Sequence, residues 1–380
     1  MASALDFHEF TQDEYERRFE KARGLMSRFA FDAILVGDEK NYRYFTGDKP
    51  PTKNRPAFVL LPIKKDPVLF VADFAAKTTQ YVSTISDARG YAMPFSYKPL
   101  AEAIRSLGAK RVGVESDDQT FGAFHSGMQW GEFGRMKEDL SDVELSDASE
   151  LIWELRLIKT EEEIKCLKKA ADITSKAYQK TFAEAREGMS EKEIAALLLS
   201  YMALLGADIP FRGKPGPSSL VILDATHPAG SPPIPTDKPL EKGDILHIDG
   251  GAIYNGYCAD FTRLGVVGEP TKRQEMEWKK VSELVGENIK KVRPGNLFKV
   301  LTCHFHGIGL DAVEAPFGGM VGRPVHGEWP VREGMVICVE ENNYLDTGEV
   351  FAHEDIAVVR KAGPELITLA DPRMQKIKTL

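Results

Sequence analysis

"HIDGGAIYNGYCADFTRLG", residues 247–265, sets two aspartates inside a run that otherwise reads as a buried hairpin. Asn255-Gly256 is a strong two-residue turn signal. With those residues at the turn, Tyr254 faces Tyr257, Gly251 faces Asp260 and Asp249 faces Thr262. Side chains alternate faces along a strand, so Asp249 and Asp260 become diagonal neighbours on one face, roughly 7–8 Å apart at the backbone. Two buried carboxylates so placed repel each other and carry a large desolvation cost. A basic partner, a proton or a metal ion must neutralise them.

The rest of the chain narrows the choice. Its 380 residues exceed ordinary single-domain size, which predicts about two domains. Hydrophobic content of 43% and charged content of 28% are those of a globular protein. A net charge of -8 argues against a nucleic-acid partner. The start, "MASALDFHEFTQDEYERRFEK", lacks the basic and apolar regions of a signal peptide, and no apolar run reaches membrane-spanning length, so a cytoplasmic protein with no membrane partner is expected. Cysteines 166, 258, 303 and 338 form no C-x-x-C pair, as fits a reducing compartment. The run Cys303-His304-Phe305-His306 lacks the matching pair that a structural zinc site requires.

Residues 1–150 alternate helical and strand-like text: "DEYERRFEKARGLMSRF", "FDAILVG", "AFVLLPI", "PLAEAIRSLG" and "KRVGVES". This predicts a small α/β domain with a mixed or parallel sheet. Residues 151–380 open with helices whose starts carry capping-box spacing, Thr160 with Glu163 and Ser190 with Glu193. They continue as "SSLVIL", "DILHIDGGAIY", "YCADFTRLGVV", "GMVICVEENNY" and "EVFAHEDIAVVR", interrupted by one helix, "RQEMEWKKVSELVGENIKKV". Helices followed by antiparallel strands predict an α+β domain.

Two later strands also carry acids in apolar surroundings. "GMVICVEENNY" ends its apolar run in Glu340, and "EVFAHEDIAVVR" sets Glu354 beside Ile356 and Val358. A single acid of this kind is ordinarily a solvated strand residue. Four of them in one domain, with His306 in "HGIG", suit a pair of divalent ions about 3.5–4 Å apart.

The motifs "IDGGAIYNGYCADFTR", "HGIGL…EAP", "GMVICVE" and "HED" closely resemble the pita-bread metallohydrolases, the group of creatinase, prolidase, aminopeptidase P and methionine aminopeptidase. The helical text from Arg156 to Tyr178 resembles that family's entry helix, and residues 12–150 its creatinase/prolidase N-terminal domain. The resemblance implies an α+β chain with a pita-bread catalytic domain behind a smaller α/β domain. It implies Asp249 on one metal, Asp260 and Glu354 bridging both, and His306 with Glu340 completing the second. Manganese, cobalt, iron or zinc would suit such ligands. The implied reaction is attack of metal-activated water on an amide carbonyl of a short peptide or small molecule, with Glu340 or Glu354 taking the proton. The implied assembly is a homodimer.

The chain departs from the family pattern on the substrate side. Pro232 and Val313 stand where the hydrolases carry histidines, and Ala352 where peptidases often carry an arginine. The segment "NLFKVLTCHF" before His306 is shorter than usual, so its scaffold is expected to be rebuilt. His227, five positions before Pro232, is the candidate replacement imidazole, ahead of His326 and His353, and Glu314 is a candidate for orienting ligands. The leading expectation is a dinuclear hydrolase similar to Xaa-Pro dipeptidases. A non-peptidase of the same fold (a small-molecule C–N hydrolase or a dimethylsulfoniopropionate-type lyase) and a non-catalytic binding homologue are the alternatives.

Overall fold

The computed structural model describes residues 9–47, 55–92, 96–116, 130–209, 216–227, 234–319 and 326–380. The chain divides into two compact units, Met1–Arg156 and Leu157–Leu380. The division falls a little after the expected residue 150, because the helix Ser149–Leu157 carries the first unit past it.

The first unit runs α1 (Gln12–Phe29), β1 (Ala33–Val36), α2 (Glu39–Thr46), β2 (Phe58–Pro62), β3 (Val68–Ala72), α3 (Asp73–Val82), β4 (Ala88–Tyr91), α4 (Lys98–Ser106), β5 (Arg111–Val114), α5 (Trp130–Asp139), β6 (Glu144–Asp147) and α6 (Ser149–Leu157). Its sheet is ordered β4-β3-β2-β1-β5-β6 and is mixed: β1 pairs antiparallel with β2 and parallel with β5. The apolar strand runs bury Leu35, Leu60, Phe70, Val112 and Val114 in one core with Leu100 and Ile104 of α4.

The second unit begins with α7 (Glu161–Glu184) and α8 (Glu191–Leu204), whose starts are closed by the two expected capping boxes. It continues as β7 (Ser218–Asp224), β8 (Ile245–Tyr254), β9 (Tyr257–Cys258), β10 (Phe261–Val267), α9 (Lys272–Ile289), β11 (His304–Gly307), β12 (Glu314–Gly318), β13 (Val336–Tyr344), β14 (Val350–Arg360), β15 (Gly363–Leu366) and β16 (Gln375–Ile377). One sheet is β16-β10-β8-β7, with β9 pairing β8, and the other is β12-β11-β13-β14-β15. The short segment ahead of β11 holds only a 3-10 turn, Phe298–Val300, and Phe298 stacks on Phe305 at 4.9 Å.

The hairpin turns at Asn255 and Gly256, whose φ angles of 48° and 80° are the left-handed pair a type I′ turn needs. Asp208 accepts from both turn amides, at 3.0 and 2.9 Å. Tyr254 pairs with Tyr257, and Asp249 with Thr262. Helix α7 fastens the face remote from the aspartates: the Tyr178 hydroxyl is 2.8 Å from the Gly250 carbonyl, Thr174 Oγ1 accepts from the Ala252 amide at 2.8 Å, and the Tyr257 hydroxyl donates to Glu163 at 2.9 Å.

Gly251 admits no side chain. A Cβ there would stand 2.4 Å from the Ala259 carbonyl oxygen, a backbone atom that cannot swing aside. Gly251→Ala should therefore cost about 1–3 kcal/mol of stability and displace the neighbouring Asp260. Urea unfolding checks this, and an unchanged midpoint would contradict it.

Candidate metal centre

Strand alternation brings the acids together. On β13 and β14, Glu340 stands directly opposite Glu354, and the next row inward pairs Cys338 with Ile356. On the other side of β13, His304 is opposite Glu340 and His306 opposite Cys338. Arg263 of β10 reaches β14, donating to the Glu354 carbonyl at 2.9 Å and to Asp355 at 2.7 Å. It thereby ties the aspartate-bearing sheet to the glutamate-bearing one.

Among the described residues, two groups of donor atoms result, the atoms of each lying within 4.8 Å of one another: Asp249, Glu340 and Glu354, and His306, Cys338 and Glu354. Glu354 is common to both. Asp260 belongs to neither group but is buried; the charge of Glu354 acts on it, and its own acts on Cys338. The groups associate Glu340 with Asp249 and Glu354, and Cys338, opposite His306 in the strand register, with His306 and Glu354; Glu340 also feels the charge of His306.

The electrostatics are those of crowded, buried acids. Burial raises the Asp260 carboxyl well above the ordinary range, and Glu354 and Asp249 raise it further. Burial and then the charges of Glu340 and Asp249 raise Glu354 in the same way, and burial with Asp249 raises Glu340. Asp249 Oδ1 and Asp260 Oδ1 are buried without a hydrogen-bond partner. Orphaned carboxylate oxygens converging on shared acids fit divalent cations, whose hard ligands are carboxylates. His306 Nδ1 is 3.0 Å from the Gly307 carbonyl, which makes Nδ1 the protonated nitrogen and turns Nε2, 3.2 Å from Glu354, toward the site.

Residues 165–361, more than half of the chain, match metallopeptidase family M24, and residues 18–158 match the creatinase/prolidase N-terminal domain. The chain belongs to metallopeptidase family M24. It is 29% identical over 376 residues to a Bacillus subtilis protein described as the uncharacterized peptidase YqhT, covering 92% of this chain and 97% of that one. It is 28% identical to an Xaa-Pro dipeptidase of Pyrococcus horikoshii, covering 94% and 98%. Among solved structures, a prolidase from Thermococcus sibiricus superposes with a TM-score of 0.81 at 26% identity, over 96% of this chain and 99% of that one. An Xaa-Pro dipeptidase from Bacillus anthracis, at 24% identity, shares the fold with a TM-score of 0.81, over 96% and 100%. The chain is thus a metallohydrolase of the creatinase/prolidase type, with the α+β pita-bread fold. Among the described residues, no helix is long and apolar enough to cross a membrane.

Pro232 lies outside the described residues. Val313 and Ala352 are buried. His227 is not brought to the acids: its Nε2 is 2.9 Å from Glu191, at the start of α8. His326 accepts from the Phe317 amide at 3.1 Å, and His353 contacts Asp355 at 3.1 Å. Glu314 pairs with buried Lys159 at 2.9 Å and accepts from the Asp311 amide at 3.1 Å.

Sequence reading passed over two features. Cys338 reads as one more apolar residue in "VICV". His247, two positions before Asp249 and so on its face, has Nδ1 2.8 Å from Asp224, while its Nε2 is buried without a partner. The alternation "HID" held the signal for His247, but its partner on β7 is a long-range contact.

Proposed function

We propose that this M24 chain is a dinuclear metal-dependent hydrolase of a short peptide or small-molecule amide. The observation that carries the proposal is the pair of donor groups sharing Glu354, beside the unpartnered oxygens of Asp249 and Asp260. Asp249, Glu340 and Glu354 would hold one divalent ion, His306 and Glu354 the other, with Asp260 between them. When bound, the ions supply Lewis acidity toward the carbonyl and lower the pKa of water. Glu340 is the proton acceptor. It is only partly buried, and Asn342 donates to its Oε1, leaving Oε2 to take and return the proton. Assembly as a homodimer belongs to the same proposal.

Metal-free protein refilled with manganese or cobalt should hold about two ions per chain and hydrolyse amide substrates. Less than about half an ion per chain would defeat the ligand assignment.

The relatives described as Xaa-Pro dipeptidases make those dipeptides the first substrates to try. Val313 cannot donate a hydrogen bond to a developing oxyanion, and such donors are often worth about 2.7–4 kcal/mol. The expected result is slow Xaa-Pro turnover with binding retained, and Val313→His should raise kcat by about tenfold or more. Rapid cleavage by the unmodified protein would overturn this reading of Val313.

A further inference from the structure

We propose that Cys338 binds the second ion as a thiolate, so that the centre has one oxygen-ligated position and one nitrogen- and sulfur-ligated position. The inference rests on the metal-centre reading above and adds a ligand to it.

Backbone register places the thiol. Cys338 shares a face of β13 with Glu340, lies directly opposite His306 on β11, and is one row inward from the Glu340 and Glu354 pair. Its Sγ, an imidazole nitrogen of His306 and an oxygen of Glu354 lie within 4.8 Å of one another. Donors bound to one zinc ion at about 2.0–2.3 Å cannot stand more than about 4.5 Å apart, so at most small side-chain adjustments separate this arrangement from a coordination set.

A second observation points to the same place. Asp260 is 3% exposed, its Oδ1 has no partner, and its backbone carbonyl lies 3.5 Å from Cys338 Sγ. Three potential donors thus gather against the backbone of a buried aspartate that has an orphaned carboxylate oxygen of its own. The alternative is a thiol that only donates to the Asp260 carbonyl and fills space.

Coordination exchanges a proton for the ion. The Cys338 S–H bond breaks, its electron pair goes to the metal, and the proton leaves to solvent, without change of oxidation state. Thiolate favours zinc, iron(II) or cobalt over manganese, so the two positions should differ in metal preference.

The test loads the metal-free full chain with cobalt(II) alone and reads its absorption. A thiolate-to-cobalt band in the near ultraviolet is expected with the visible ligand-field bands, and Cys338→Ser should lose the former while keeping the latter. Cys166, Cys258 and Cys303 remain in that variant, so a band that persists overturns the assignment. Cobalt bound with ligand-field bands but no charge-transfer band in the unmodified protein also overturns it, and leaves the dinuclear centre standing. Failure to bind cobalt at all overturns both. Should the variant not fold, zinc-edge X-ray absorption of the unmodified protein decides: a sulfur neighbour at about 2.3 Å supports the proposal, and a shell of only nitrogen and oxygen overturns it. Zinc affinity of Cys338→Ser should fall at least about 10–100-fold, with a much smaller change for manganese.

Discussion

Glu354→Gln is expected to leave fewer than about one ion per chain and to lower hydrolysis at least ~10³-fold, since loss even of a group that merely supports a ligand costs about 10–100-fold. Glu354 alone belongs to both donor groups, so its replacement weakens both ion positions together. The amide keeps the shape of the acid. The backbone tie from Arg263 to the Glu354 carbonyl, at 2.9 Å, does not involve the side chain and should survive. The variant should therefore fold. Without metal it should be more stable than the unmodified protein at neutral pH, because the charges of Glu340 and Asp249 that burden Glu354 meet a neutral group. Metal analysis together with thermal unfolding checks both halves. Full metal content in the variant would remove Glu354 from the ligand set.

Removing metal should lower the melting temperature by about 8–16 °C for each ion that had been present at about a thousand times its Kd, from about 4 kcal/mol of linkage per site and 2–4 °C per kcal/mol for a unit of this size. The effect should grow with pH. Asp260, Glu340 and Glu354 all hold their protons to higher pH in the folded chain than an exposed acid does. Their contribution to stability is complete below about pH 4, the unfolded range, and disappears as pH rises through the raised folded values. Metal-free protein should thus melt progressively lower as pH rises above the ordinary carboxylate range, whereas the loaded protein escapes that decline because ions take the place of the protons. A melting temperature for metal-free protein that is flat with pH would show that the acids are not crowded as described.

What could be read from the sequence was what local chemistry decides. Asn255-Gly256 specifies its own turn, and the turn then fixes the register of Asp249 against Thr262. The capping boxes at Thr160 and Ser190 act within four residues, although the same device at Thr271 with Gln274 was passed over. The family of the chain was legible from its motifs, including the acids on β13 and β14. Their grouping was not. Whether Glu340 stands nearer Asp249 or His306 depends on how two sheets face each other, which no strand records in its own periodicity. His227 fails to reach the acids for a related reason: proximity along the chain to Pro232 says nothing about the Glu191 carboxylate that holds it. Cys338 was hidden because a cysteine in an apolar strand looks the same whether it packs or ligates.

The three polar anchors from α7 hold the hairpin by Gly250, Ala252 and Tyr257, and none of them involves Val313 or Ala352. Substrate choice and retention of the reactive centre are for that reason separately heritable. A residue such as Val313 can be exchanged while the aspartates stay where the helix pins them. The same fold can then drift from one amide to another without passing through an inert ancestor.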